Sequence, residues 1–470
     1  MKSLKKIYFP FLIMFVAAAC SVSKDVTVSK TSLPDSYRNA TSTDTQSIAT
    51  IPWNHFIEDT TLQVLIKKAI EQNFDMQIAL KNIKSAQLQL TQAKWGNVPT
   101  VNLNVTGSTS RPSDNSLNGL SLGSFLGTKH IEDYSANLSL SWEADIWGKI
   151  RSQKKAALAA YLQSEEATKA IQTELVASVS KDYYNLQLLD AQIQIAKRNL
   201  ALNDSTLTIV KLQYEAGQVT SLAVQQTEAL RLEAAQLVPA LEQEINIQEN
   251  ALSILTGETP KHLDRALFLN HPNYPAELPT GIPSEMVSNR PDVHFQELSL
   301  SIANAKVGVA KASLYPSLTI TAVGGVNAFK ASNWFNIPAS LFGTLAGGIS
   351  QPLLMHKQLK TQFEIAKVER EKSVLQFRQS VLTAVGEVSD ALVRIDKLKE
   401  QETIADAKVR ALHQAIENAN LLFQNGMANY LEVITANSKA LQSELDLSTL
   451  KRDQLFAVVD LYKSLGGGWK

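Results

Sequence analysis

With one cysteine, Cys20, in 470 residues, the chain can form no disulfide within a single molecule. It also lacks an excess of charge: Lys+Arg and Asp+Glu each number 45. Three of those lysines (Lys2, Lys5, Lys6) lie in an N-terminal stretch without acids, and the remainder is 42 against 45, mildly acidic. That balance leaves no basic surface of the kind nucleic acid requires. Motifs of catalysis are missing too. There is no HExxH, no GxSxG and no glycine-rich phosphate loop, the seven histidines are scattered without metal-ligand spacing, and His262 and His271 share only a loop. These absences argue against an enzyme and against a metal or other cofactor. A further gap is structural: no Gly or Pro occurs between Gly148 and Gly217, so nothing there stops a helix.

The N-terminus MKSLKKIYFPFLIMFVAAAC has a basic start and an apolar core from Ile7 to Val16. That core is too short for a membrane-spanning helix, and with the small residues after it the pattern predicts a signal peptide over 1–19. Cys20 directly follows three alanines and resembles a bacterial lipoprotein processing site, in which the cysteine becomes the lipid-bearing first residue; an ordinary signal peptide with an incidental cysteine is the alternative. Residues 20–58 are rich in Ser, Thr, Asp and Lys, a composition that buries little surface and predicts an extended tether.

The rest repeats itself. YEAGQVTSL at Tyr214 to Leu222 and FQNGMANYL at Phe423 to Leu431 share a pattern centred on Gly217 and Gly426, 209 residues apart. AKWGNVPTVNL from Ala93 is matched by AKASLYPSLTI from Ala310, and Ser141 by Ser350. Each half therefore reads as a shorter helix (about Leu62 to Gly96; about Ser284 to Leu314), two strands, a long helix (Gly148 to Gly217; Leu353 to Asn425), a turn and a final helix (Ser221 to Leu255; Tyr430 to Leu465). A helix filling the first long interval would reach about 100 Å. The halves are 59–258 and 283–470, joined by a loop over 259–282.

Between short and long helices the period changes to two. Val101, Leu103 and Val105 alternate with Asn102, Asn104 and Thr106, and Tyr134 to Trp142 alternates likewise; LTITAVGG and Leu341 to Ser350 repeat the plan more weakly. Strands with one apolar and one uncharged polar face, behind a secretory leader, fit a membrane β-barrel. Four strands cannot close one, because the smallest membrane barrels need about eight. The barrel is expected to be shared between chains, with Tyr134, Trp142, Trp334 and Phe335 suited to the bilayer interface.

The repeated plan, RPDV at Arg290 to Val293, the Ala-Lys…Tyr-Pro-Ser-Leu run, VPALE at Val238 to Glu242 and the closing YKSLGGGW resemble the outer-membrane efflux lipoproteins of the TolC superfamily, NodT-type branch. The resemblance implies a mainly α fold with a membrane β part: a homotrimer with a twelve-stranded β-barrel and a twelve-helix α-barrel, four strands coming from each chain. It implies an exit duct across outer membrane and periplasm for drugs or other small toxic molecules, supplied by a periplasmic adaptor and an inner-membrane pump of the RND type. By position it makes Ala216-Gly217-Gln218 and Asn425-Gly426-Met427 the adaptor-docking turns. Glu432 and Thr435 fall where relatives narrow the pore with two acids, and Ala428 and Ser438 where some carry basic locking partners. Glu432 also fits an ordinary solvated helix-face carboxylate. The competing reading is a non-channel periplasmic helical lipoprotein, which leaves the four amphipathic strands without a role.

Overall fold

The computed structural model describes residues 34, 36–38, 47–118, 120–121, 127–265 and 278–470; Cys20, the leader and His271 lie outside them. In chain order the elements are α1 (Trp53–Phe56), α2 (Thr60–Gln72), α3 (Phe74–Lys94), β1 (Thr100–Ser110), β2 (Ile131–Ala144), α4 (Lys149–Glu215), α5 (Ser221–Leu255), α6 (Pro283–Asn289), α7 (Pro291–Ala312), β3 (Ser317–Ala328), β4 (Leu341–Ser350), α8 (Gln358–Gln424) and α9 (Tyr430–Ser464). The long helices α4 and α8 have 67 residues each, and α5 and α9 have 35 each. Continuity of α4 follows from its lack of Gly and Pro. Helix α8 runs through Gly386 and α5 through Pro239. Helix α8 starts later than the expected Leu353, because His356 and Lys357 take φ of 51° and 63°, a left-handed conformation outside a right-handed helix.

Both shorter helices are broken where one continuous helix is expected. Asn73 separates α2 from α3: its side-chain oxygen accepts from the Asp75 and Met76 N–H groups, at 2.9 and 3.2 Å, and its amide donates to the Leu255 carbonyl at 3.1 Å. At the repeat-equivalent position Arg290 separates α6 from α7. Its Nη1 donates to the Ser464 carbonyl at 2.9 Å and pairs with Glu387 at 2.7 Å, while Nε and Nη2 donate to Asp292 at 3.0 and 2.6 Å. Each break thus satisfies a carbonyl at the end of its own half's last helix, one of the acceptors a helix C-terminus leaves orphaned. A pre-proline residue also disfavours helical φ/ψ, which adds to the break at Arg290.

The chain divides into two compact units, each drawing on both repeats. One unit takes residues 84–162 and 298–375 and contains the sheet. Its four strands are antiparallel in the order β1-β2-β3-β4. Leu103 pairs with Leu138, Leu138 with Gly324 and Gly324 with Gly343, so these share a face. The same register puts Val101, Val105, Leu140, Ile320, Val326, Leu345 and Ile349 on that face, and Asn102, Asn104, Asn137, Ser139, Thr319, Thr321 and Thr344 on the other. On the polar face Asn104 donates to Asn137 Oδ1 at 3.2 Å and to Ser139 Oγ at 3.0 Å. Tyr134 stands 5.6 Å from Trp334, which is 5.0 Å from Phe335. Eight residues further along β2, Trp142 Nε1 donates to the Asn97 carbonyl at 3.0 Å.

The other unit takes 30–83, 163–297 and 376–470 and holds two apolar cores. Leu62, Ile66, Val179, Tyr183, Leu186 and Leu252 centre the first; Val293, Val388, Leu461 and Leu465 centre the second. Tyr37, Ile48 and Ala49 are buried in the second core, and Trp53 and Phe56 pack against both. Phe56 stacks on Tyr462 at 4.0 Å, and the Tyr183 hydroxyl donates to Asp59 at 2.9 Å. The part of the expected tether from Ser47 onward is therefore folded into the helical unit. Among the described residues no helix is long and apolar enough to cross a membrane.

Gly325 marks the tightest point of the sheet: a Cβ there would lie 2.2 Å from the Ala136 carbonyl oxygen and 2.6 Å from the Asn137 Cα. Both obstacles are backbone, so Gly325→Ala is expected to cost at least about 1–3 kcal/mol of overpacking strain. It should lower the midpoint of thermal unfolding, whereas Gly348→Ala, with open space around its Cα, leaves it unchanged.

Candidate functional site

The candidate site is the pair of turns joining α4 to α5 and α8 to α9. Gly217 and Gly426 have φ of 72° and 69°, which glycine adopts without steric cost. In the first turn the Gly217 N–H donates to the Tyr214 carbonyl at 2.9 Å and the Gln218 N–H to Gln213 at 2.8 Å; in the second, Gly426 donates to Phe423 at 3.1 Å and Met427 to Leu422 at 2.8 Å. This is the glycine closure that satisfies the last carbonyls of a helix. Ala216, Gly217, Gln218, Asn425, Gly426 and Met427 are all exposed, and the Met427 side chain is 70 % exposed.

The structure brings the two turns together. Val210, Ala223, Phe423 and Val433 form a small buried cluster flanked by Val219, Ala428 and Tyr430, and the Tyr430 hydroxyl donates to Gln226 Oε1 at 2.9 Å. Beyond this cluster buried polar side chains, Asn199, Asn203 and Thr206 on α4, Thr227 on α5, Asn437 and Ser443 on α9, are interspersed with Leu207, Ala234, Ile434 and Ala440. Further along, Arg231 of α5 pairs with Asp204 of α4 at 2.8 Å, and one carboxylate then ties three helices. Glu444 of α9 pairs with Arg198 of α4 and, at 2.7 Å, with His413 Nε2 of α8.

Asn429 starts α9, its side-chain oxygen accepting from the Leu431 and Glu432 N–H groups at 3.0 and 3.3 Å. Glu432 occupies the third helical position, where a capping-box glutamate would fold back onto the cap. It is exposed instead and has no ion-pair partner among the described residues. It lines an open groove of about 500 Å³ between α8 and α9 with Thr435, Ala436, Lys439, Leu412 and Ala415. The Thr435 hydroxyl donates to the Leu431 carbonyl at 2.7 Å. Among the described residues no group of His, Cys, Asp and Glu is placed to hold a metal ion.

Sequence reasoning missed Asn429, Lys439 and Glu444. Asn429 carries a readable signal, a capping residue three positions before a glutamate. Lys439 could have been found by counting one heptad from Glu432. The Glu444 contacts join residues 246 positions apart and leave no local trace.

Comparison with known proteins gives matches that span most of the chain. Residues 65–258 and 282–467 match the family model described as outer membrane efflux protein. The chain is 26 % identical to the cation efflux system protein CusC of Escherichia coli O6:H1 over 98 % of both chains. It is 27 % identical to the probable outer membrane lipoprotein SilC of Salmonella typhimurium, over 89 % of this chain and 88 % of that one. The crystal structure of the open state of the Neisseria gonorrhoeae MtrE outer membrane channel superposes with a TM-score of 0.84 at 25 % identity, covering 96 % of this chain and 99 % of that one.

Loss of an N-cap side chain costs about 0.5–2 kcal/mol, so Asn429→Ala is expected to fray the first turn of α9. Hydrogen exchange at the Leu431 and Glu432 amides should accelerate about tenfold. Thr220→Ala, at the start of α5 where the side chain makes no cap bond, should leave exchange near Ala223 unchanged.

Proposed function

The chain belongs to the outer membrane efflux protein family, and from that membership and the geometry above we propose that three copies form one TolC-like duct. Its barrel has twelve strands and its periplasmic tunnel twelve helices. The protein is the outer-membrane channel of a tripartite efflux system, a passive exit for drugs or other small toxic molecules. An inner-membrane pump of the RND type and a periplasmic adaptor deliver the cargo. A lipid on Cys20 anchors the chain. Ala216-Gly217-Gln218 and Asn425-Gly426-Met427 receive the adaptor, and Glu432 with Thr435 lines the constriction.

One observation carries this reading. In its central span the four-stranded sheet has one face dominated by apolar side chains, an opposite face made mostly of uncharged polar ones and, among the described residues, two edges without a partner strand; the carboxylates of β2 (Glu132, Asp133, Glu143) lie toward the ends of that strand. Val101, Leu103, Val105, Leu138, Leu345 and Ile349 are each more than half exposed, and leaving such side chains in water forfeits about 1.5–3 kcal/mol apiece. Lipid against that face and copies of the chain at both edges remove both costs. The polar face then lines water, which suits the wall of a solute pathway.

Cargo selection does not require chemistry in the duct. Relatives carry names as different as cation efflux and toluene efflux on one chain plan, as expected if the pump chooses and the channel conducts.

Expression with its cognate pump and adaptor in a host lacking its own channel is expected to raise the minimal inhibitory concentration of pump substrates at least fourfold. Detergent extracts should contain trimers. A monomer soluble without detergent once the lipid is removed would overturn the proposal. In planar bilayers Glu432→Gln should lower cation over anion permeability; unchanged conductance and selectivity would remove Glu432 from the constriction.

A further inference from the structure

Seven residues after Glu432, on the same face of α9, stands Lys439. Seven residues are two turns less about 20°, and Glu432 and Lys439 line the same groove between α8 and α9. Both are exposed, and neither has an ion-pair partner among the described residues. Two of the other three cations of α9 are engaged, Lys463 with Glu174 and Arg452 with Asp453 at 2.7 Å; the third, Lys451, lies further from Lys439 along the helix than Glu432 does and does not line this groove.

Distance keeps Glu432 and Lys439 from neutralising each other. Along the axis seven residues span about 10 Å. At that separation two unit charges attract by about 0.4 kcal/mol in water, and salt at physiological strength screens most of this. Each charge is therefore presented separately to whatever occupies the space the groove faces.

We propose that Lys439 is the second charged residue of the pore lining and a determinant of what the tip passes. This rests on the placement of Glu432 in the constriction. In a trimer, three carboxylates would be followed about 10 Å deeper by three ammonium groups of opposite sign. A small cation attracted by the first ring meets repulsion at the second, and a small anion meets the two in reverse. Neutral and zwitterionic organic solutes meet no net barrier at either. The tip of this chain is thus suited to uncharged or zwitterionic organic molecules rather than to bare metal cations. Thr435, between the two rings, adds no charge.

Reversal potentials of purified trimers in planar bilayers under a KCl gradient test this. Lys439→Met keeps the length of the side chain and removes its charge. It is expected to raise the K⁺ to Cl⁻ permeability ratio about sevenfold, because a local potential change of one kT acts on the two ions with opposite sign. Lys439→Arg should match the unmodified channel, and Glu432→Gln should shift the ratio the other way. If Glu432→Gln shifts selectivity while Lys439→Met does not, Lys439 is a solvated surface lysine and the inference fails with the Glu432 assignment intact. If neither moves the ratio in channels of normal conductance, this face of α9 does not line the pore and both fail.

Discussion

The structure depends above all on two strand edges that one chain cannot pair. Strand β1 and strand β4 each end the sheet, with 11 and 10 residues respectively, so alternate N–H and C=O groups along both edges lack partners. In hydrocarbon each such group costs several kcal/mol. Closure around a ring removes the edges altogether. The apolar alternation that makes a strand suitable for lipid thus also makes the single chain incomplete. Strand dimensions agree with this constraint. Tyr134 and Trp142 are eight residues apart on β2, about 27 Å along the strand. With a tilt near 40°, their separation across the membrane becomes about 20 Å, close to the apolar band between aromatic girdles in such barrels.

The helical unit solves a related problem twice. The last helix of each half leaves a carbonyl, at Leu255 or Ser464, that is met by the residue breaking that half's first helix, Asn73 or Arg290. The repeats use different side chains for the same task. Asn73 is short and also caps α3. Arg290 reaches further and carries a charge that Asp292 and Glu387 answer. Duplication conserved the geometric requirement while the chemistry diverged.

What could be read from the sequence follows from the range of the interactions. The turns at Gly217 and Gly426, the limits of α4 and α5 and the face alternation of β1 and β2 depend on neighbours in sequence, and they are where the pattern predicts them. The breaks at Asn73 and Arg290 are different. No Gly or Pro lies within the Asn73 break, and its side chain is held by a carbonyl 182 positions away. The proline after Arg290 was a local warning that a motif reading passed over. The folded stretch around Ile48 and Ala49 is hidden for a similar reason: a polar composition predicts a tether, yet Tyr37, Ile48 and Ala49 seat it in the second core. At the tip, the assignment of Glu432 and Thr435 rests on family resemblance, because exposed side chains carry no packing signal.

The same distribution of interactions decides where the helical unit can move. Its two cores bury large aliphatic and aromatic side chains from several helices and the N-terminal segment. The turns are joined by Val210, Ala223, Phe423 and Val433 and one hydroxyl bond, with mixed polar and apolar burial until Glu444. Elements with little apolar burial open at low free energy, while well-packed cores open only with global unfolding. Separation of α8 and α9 from α4 and α5 should therefore begin at the turns and be limited by the Glu444 node, where Arg198 and His413 meet one carboxylate. Arg198 is largely solvated while Glu444 is mostly buried, so solvent screens this pair only in part. The tip of the helical unit is thus the part most able to rearrange while its cores stay fixed.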